Sequence, residues 1–204
     1  MSKPLVHIHA DESCLGVQFT DRDSPGGAGG LVELWHRDQW QRRDYWISEP
    51  ATTNNRMAIR SAIVGLAQLK KPCRIIFVSD SQYLVRSMSE WIHGWKRAGW
   101  KRKTGALDNV ELWQELAGEA ARHDLTWTWV RGHAGHPQNE YANHLATRAA
   151  KAQDASNGLV ESGFVQWLDA QRAKSQKYMD FNEWAPPPHL PCCLWMQETL
   201  NRYT

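Results

Sequence analysis

Two aspartates stand where they could share a ligand. Asp11 follows "PLVHIHA" (4–10), whose alternation of apolar and polar residues predicts a strand. Asp80 closes "CRIIFVSD" (73–80), a short continuous apolar run that predicts a strand covered on both faces. Ligands of mixed α/β sheets sit beyond the carboxyl ends of the strands, and both carboxylates fall there. A second signal is "TTNNR" (52–56), which puts hydroxyls and amides at the start of a helix, where free N–H groups and the dipole favour phosphate. A third is "WIHGWKRAGWKRK" (91–103). It carries Lys96, Arg97, Lys101, Arg102 and Lys103 with no acid, interleaved with Trp91, Trp95 and Trp100. Cations meet backbone phosphates and indoles stack, which is the chemistry of a nucleic-acid groove. As an ordinary solvated face, the same segment would only pack Trp91 against Trp95 one helical turn on.

The elements that must hold these residues follow from periodicity. "DSPGGAGG" (23–30) predicts a turn. "LVELWH" (31–36) and "QWQRRDYWI" (39–47) predict two strands of a hairpin or meander. "NNRMAIRSAIVGLAQLKK" (54–71) places Met57, Ile59, Ala62, Ile63, Leu66 and Leu69 at helical spacing, and Pro72 stops it. Helices are also predicted over 81–92, over 108–123 with Asp108 as N-cap, and after the loop "RGHAGH" with Pro137 near the start. "LTWTWV" (125–130) alternates as a strand. Trp127 and Trp129 then share one face and are expected in the core, as are Trp35 and Trp113. Strands alternating with helices after an antiparallel opening predict an α/β fold with a mixed sheet flanked by helices. "DASNG" (154–158) marks a boundary between a domain of residues 1–153 and an extension of residues 154–204. The extension reads as a helix over 164–179, a Pro-rich connector (185–193) and a short helix (194–203). It is too small for its own core and is expected to dock on the domain or, through residues 159–204, on a protein partner.

Composition narrows the class. A chain of 204 residues with net charge +2 does not announce a polyanion partner through global charge, so the local basic segment matters more. The four cysteines (14, 73, 192 and 193) form neither a C-x-x-C pair nor a disulfide framework, which argues against structural zinc and for a reducing, cytoplasmic setting. Neither a signal peptide nor an apolar run of membrane-spanning length is expected.

"HADESCLG", "TTNNRM", "SDSQY", "WIHGWKRAGWK" and "RGHAGHPQNE", in this order and spacing, resemble bacterial-type ribonuclease HI over roughly residues 5–150. The resemblance implies the ribonuclease H-like fold, with a five-stranded mixed sheet. It implies cleavage of the RNA strand of RNA–DNA hybrids with Mg²⁺ or Mn²⁺ as cofactor. Two ions about 4 Å apart would clamp the scissile phosphate, held by hard oxygen donors. On this pattern Asp11 and Asp80 are metal-binding catalytic carboxylates, and His133 assists turnover. Cys14, Thr53, Asn54, Asn55 and Gln82 contact the hybrid, and the basic Trp-rich segment grips the DNA strand.

Two positions depart from the pattern. The family's helix glutamate falls at Ala58 and its last aspartate at Asn143, which keeps only a neutral carbonyl oxygen as a weak ligand. Two carboxylates against two dications leave charge uncompensated, at a cost of several kcal/mol where the dielectric is low. Glu12 adjoins Asp11, but neighbours on a strand point to opposite faces. Glu140, one turn before Asn143, is therefore the expected compensating acid. The loop after Cys14 is also longer than the family's and adds two aspartates. The sequence thus predicts a binder of RNA–DNA hybrid or a related duplex with impaired or absent cleavage and doubtful metal occupancy. The alternatives are an active Mg²⁺/Mn²⁺-dependent endoribonuclease and a non-catalytic subunit of a nucleoprotein complex.

Overall fold

The computed structural model of the chain describes residues 3–16, 24–37, 39–102 and 105–182. Lys103, the Pro-rich connector, the expected helix over 194–203 and Cys192 and Cys193 lie outside the described residues.

One sheet organises the molecule, in the order β5-β4-β1-β2-β3-β6. β1 (Leu5–Cys14), β2 (Ser24–His36) and β3 (Gln39–Thr52) form an antiparallel meander. β4 (Arg74–Ser79) and β5 (Asp124–Trp129) add in parallel on the other side of β1. The alternation of β1 decides which residues meet which helices. Val6, Ile8 and Ala10 face a core built with α1 (Asn54–Ala67) and α4 (Val110–Ala120), where Trp113 and Phe77 are fully buried. His7, His9 and Asp11 stand opposite Glu33, Leu31 and Gly29 of β2, and Leu31 packs under α5 (Pro137–Ala152).

The segment expected as a Gly-rich turn is instead the first half of β2. Its glycines serve a close approach. A Cβ on Gly27 would lie 2.3 Å from the Ala146 carbonyl oxygen and 2.4 Å from the Ala150 nitrogen, and one on Gly29 2.8 Å from the Ala146 nitrogen. Only bare backbone, met by Ala142, Ala146, Ala149 and Ala150, lets α5 lie this close to the sheet.

The sheet has a sixth strand beyond the expected five. β6 (Val160–Glu161) pairs with β3, and α6 (Phe164–Ser175) buries Phe164 and Leu168 against Leu31, Tyr141 and Leu145. Asp44 accepts hydrogen bonds from Tyr141 Oη (2.5 Å) and from the Gly163 amide (3.0 Å), tying both helices to β3. The described part of the extension is therefore docked on its own domain.

The helix expected over 81–92 runs on to residue 97, as α2 (Gln82–Arg86), a π-helical turn (Ser87–Trp91) and α3 (Ile92–Arg97). Asp108 does not cap α4. It pairs with Arg102 at 3.0 Å, and Asn109 takes the cap position with a left-handed backbone. Trp129, expected in the core, is 39% exposed and donates its indole N–H to the Asp80 carbonyl. Trp35 is half-buried at the sheet's end, edge-on to Trp40. Among the described residues no helix is long and apolar enough to cross a membrane.

Candidate active site

β4 pairs with β1 only as far as Ser79 opposite Ala10. The last four residues of β1 project beyond it, flanked by β2 alone. That open flank is where the carboxylates gather. Asp11, Glu12 and Asp80 each bring an oxygen within 4.8 Å of the other two. The alternation argument that set Glu12 aside therefore fails here. It fixes where Cβ points but not where a longer side chain ends, and β4 leaves the flank beside Glu12 open. Asp11 Oδ1 accepts the Glu12 amide at 2.7 Å, which pins the first carboxylate.

Three acids this close, partly shielded from water, resist ionisation. Burial, then the neighbouring Asp80, hold Asp11 well above the usual carboxylate range. Glu12 is pushed up by burial and by Asp11 and Asp80, and Asp80 chiefly by its own burial. The crowding is a test of fit. Three hard oxygen donors converge, and their mutual repulsion is what a divalent cation would relieve. The donor set suits Mg²⁺ or Mn²⁺.

α5 closes the other side. His136 caps it, its Nδ1 accepting the Asn139 amide. Asn139 is 2% exposed and donates to Asp11 Oδ2 at 3.2 Å. The sequence reading missed this residue. The signal was its place in the first turn of a helix that carries two other candidates. Half-buried Asn143 lies one turn further along α5 and acts on Asp11 as a neutral neighbour that favours its ionised form. Glu140 is not among the three converging acids. It faces His133 across 3.6 Å and acts on Asp11 and Asp80 only through its charge. His133 sits exposed on the loop before α5 with a left-handed backbone. In the same loop Gly132 passes so near Asp80 that a Cβ there would lie 2.4 Å from its Oδ2. Ala58 is fully buried in the α1 core, and nothing polar replaces the missing glutamate at that position.

The residues expected to contact a hybrid take the following places. Thr53 caps α1, accepting from the Arg56 amide at 3.3 Å, and leaves Asn54 and Asn55 exposed. Gln82 is exposed at the start of α2, and Cys14 is a half-buried free thiol. Arg97, Lys101 and Arg102 are exposed around a cleft that Trp91, Trp95 and Glu90 also line, and Lys96 is exposed on the same helix. The two indoles lie 6.0 Å apart, and Trp95 leans on buried Trp113, so the basic surface has an aromatic footing in the core. Trp100 folds back, its amide bonding the Trp95 carbonyl at 2.7 Å.

Beneath the site lies a second polar group on the same face of β1. His7, His9 and Glu33 are buried together, Arg42 bonds Glu33 at 2.7 Å, and the His9 and His136 rings are 5.3 Å apart. Burial drives His7 down to about 4 and His136 to about 3, so both are neutral. Burial opposes charge on Glu33 too, but bonds from His9 and Arg42 outweigh it and bring the acid to about 2. The Glu33–Arg42 pair closes this charge balance without any ion.

Comparison with known proteins gives consistent results. The RNase H family profile matches residues 3–151. A ribonuclease H of Stutzerimonas stutzeri is 42% identical over 149 residues, 72% of this chain and 93% of that protein. One of Photorhabdus luminescens is 40% identical over 161 residues, 77% of this chain and 96% of that protein. Among solved structures, LC9-RNase H1, described as a type 1 RNase H with the type 2 active-site motif, superposes with a TM-score of 0.80. It is 46% identical, and the match covers 94% of this chain and 95% of that one.

Proposed function

Since this chain belongs to the ribonuclease H family, we propose that it is a working endoribonuclease that cuts the RNA strand of RNA–DNA hybrids. The observation that carries this reading is the convergence of Glu12 with Asp11 and Asp80, which raises the carboxylate count from two to three despite Ala58. A relative at 46% identity whose active-site motif is of a different type from its class supports a relocated acid.

In this reading Asp11, Glu12 and Asp80 hold the divalent ions, with Asn143 as a neutral fourth partner. Such ions, when bound, activate water and offset charge on the scissile phosphate. The chain's own residues do the rest. Asn139 holds Asp11 in place from α5, and Gly132 lets the His133 loop pass beside Asp80. His133, exposed and facing Glu140, is placed to move a proton or help product leave. Asn54, Asn55 and Gln82 position the RNA strand, while Lys96, Arg97, Lys101 and Arg102 neutralise DNA-strand phosphates.

The experiment is cleavage of an end-labelled hybrid in Mg²⁺ and in Mn²⁺ by the wild-type chain, Glu12→Gln and Glu140→Gln. Wild-type turnover that falls at least 100-fold in Glu12→Gln and far less in Glu140→Gln is expected. Turnover indifferent to Glu12→Gln would place the third acid elsewhere. A wild-type chain that binds hybrid but cuts in neither metal would support the second reading, a silenced binder, which neutral Asn143 favours.

A further inference from the structure

The chain turns back on itself after α6, and the turn is built to one shape. Gln176 and Tyr178 both have left-handed backbones. Arg172 clamps the turn by bonding the carbonyls of Tyr178 (3.3 Å) and Phe181 (2.7 Å). The Tyr178 ring lies 5.7 Å from Trp167, and the Phe181 ring 6.2 Å from Phe164, which is fully buried. Two non-glycine residues in the left-handed region are strained, and such strain persists only where the surroundings enforce it.

That turn reaches the catalytic loop. Lys177, Tyr178 and Asp180 line an open cleft of about 410 Å³ together with His133 and Glu140. Burial, and then the charge of Glu140, push the Tyr178 phenol up to about 12, so it stays a hydroxyl donor at neutral pH. The cleft therefore offers an exposed ammonium, a phenol and two carboxylates, with Glu140 already facing His133. A pure phosphate site would not carry two acids. A ribose–phosphate unit accounts for the mixture: the ammonium meets the phosphate, while a carboxylate and a phenol meet the 2′-hydroxyl, which both donates and accepts.

We propose that the Lys177–Asp180 turn of the extension is an RNA-strand subsite, with Lys177 on a backbone phosphate and Asp180 and Tyr178 on a ribose 2′-hydroxyl next to the cutting position. The proposal rests on the hybrid-cleaving reading above and assigns part of the RNA grip to a segment beyond the matched family region.

The test uses the full chain without divalent metal, so that nothing is cut. Lys177→Ala and Asp180→Asn are compared with wild type for affinity to a hybrid and to an all-DNA duplex of the same sequence, between 50 and 300 mM salt. Lys177→Ala should weaken hybrid binding three- to tenfold and make the salt slope shallower by about 0.9. Asp180→Asn should weaken the hybrid and leave the DNA duplex unchanged. Both side chains are exposed, so folding, checked by circular dichroism, is expected to hold. Wild-type binding with both variants indifferent overturns the subsite alone. Failure of the wild-type chain to bind hybrid overturns the cleavage reading as well.

Discussion

Replacing Gly27 with alanine should separate the packing of α5 from the chemistry it serves. The new Cβ would lie 2.3 Å from the Ala146 carbonyl oxygen and 2.4 Å from the Ala150 nitrogen, where ordinary contact needs 3.4 Å or more. The shortfall is about 1 Å, and both obstacles are helix backbone, so no flexible side chain can yield and α5 must lift. Overpacking of this kind costs about 1–3 kcal/mol. The same shift would carry Asn139 from 3.2 Å to about 4 Å from Asp11, beyond hydrogen-bond range. Misplacement of a site by about 1 Å can cost about 100-fold in rate. Urea unfolding should therefore show a loss of about 1–3 kcal/mol, and hybrid cleavage should fall by one to two orders of magnitude. Gly118→Ala is the control. It lies inside α4 with nothing within 4 Å of its added Cβ, and should stabilise by about 0.5–1 kcal/mol without touching activity. A Gly27→Ala protein as stable and active as its parent would refute the claim that glycine backbone sets the height of α5 over the site.

Other expectations address the remaining parts. His7 and His136 have folded pKa values below the unfolded 6.5, so their contribution is complete above pH 6.5 and is lost as pH falls towards 4 and 3. Each should cost about 2 kcal/mol between pH 7.5 and 5. His7→Gln should remove about that much of the pH dependence in denaturation, and identical pH profiles for parent and variant would disprove it. The raised carboxylates act in the opposite sense, their stabilisation lost as pH rises through the folded values. Mg²⁺ should accordingly raise the melting temperature of wild type at pH 8 and do so much less for Glu12→Gln. Phe164→Ala should cost about 3–5 kcal/mol if α6 unfolds with the domain, read as one cooperative transition by calorimetry. A separate early transition would show the extension melting alone. Lys96→Ala/Arg97→Ala should flatten the salt dependence of hybrid binding by about 1.8.

What could be read in the chain before folding, and what could not, divides along physical lines. The helices carrying Thr53 and Pro137 at their starts, and the strands that carry Asp11 and lead to Asp80, show in period and capping because these are local properties. The glycines of 23–30 read as a turn, but Gly27 and Gly29 answer to α5, more than a hundred residues away, and the segment is part of β2. Trp129 followed the strand period but lies on β5, the sheet's edge strand, where its indole is left half open. Glu12 escapes the alternation argument because strand period fixes the direction of Cβ and not the end point of a longer carboxylate side chain. Asn139 shows in the sequence only through its place in the first turn of α5. Its meaning comes only from a contact 128 residues distant.

The adjacency of Asp11 and Glu12 has a consequence for how the site responds to change. Two donors on consecutive residues form a sequence-local chelate, and their separation is set by one peptide unit. An acid on α1 would instead tie the spacing of the donors to how that helix seats in its core. Here Ala58 leaves α1 with no stake in the cluster. Substitutions that loosen the α1 core, at Met57 or Ile63 for instance, should then lower global stability while leaving cation affinity intact. The two properties can drift separately, and a chain with this layout has more freedom to repack its interior without retuning its metal site.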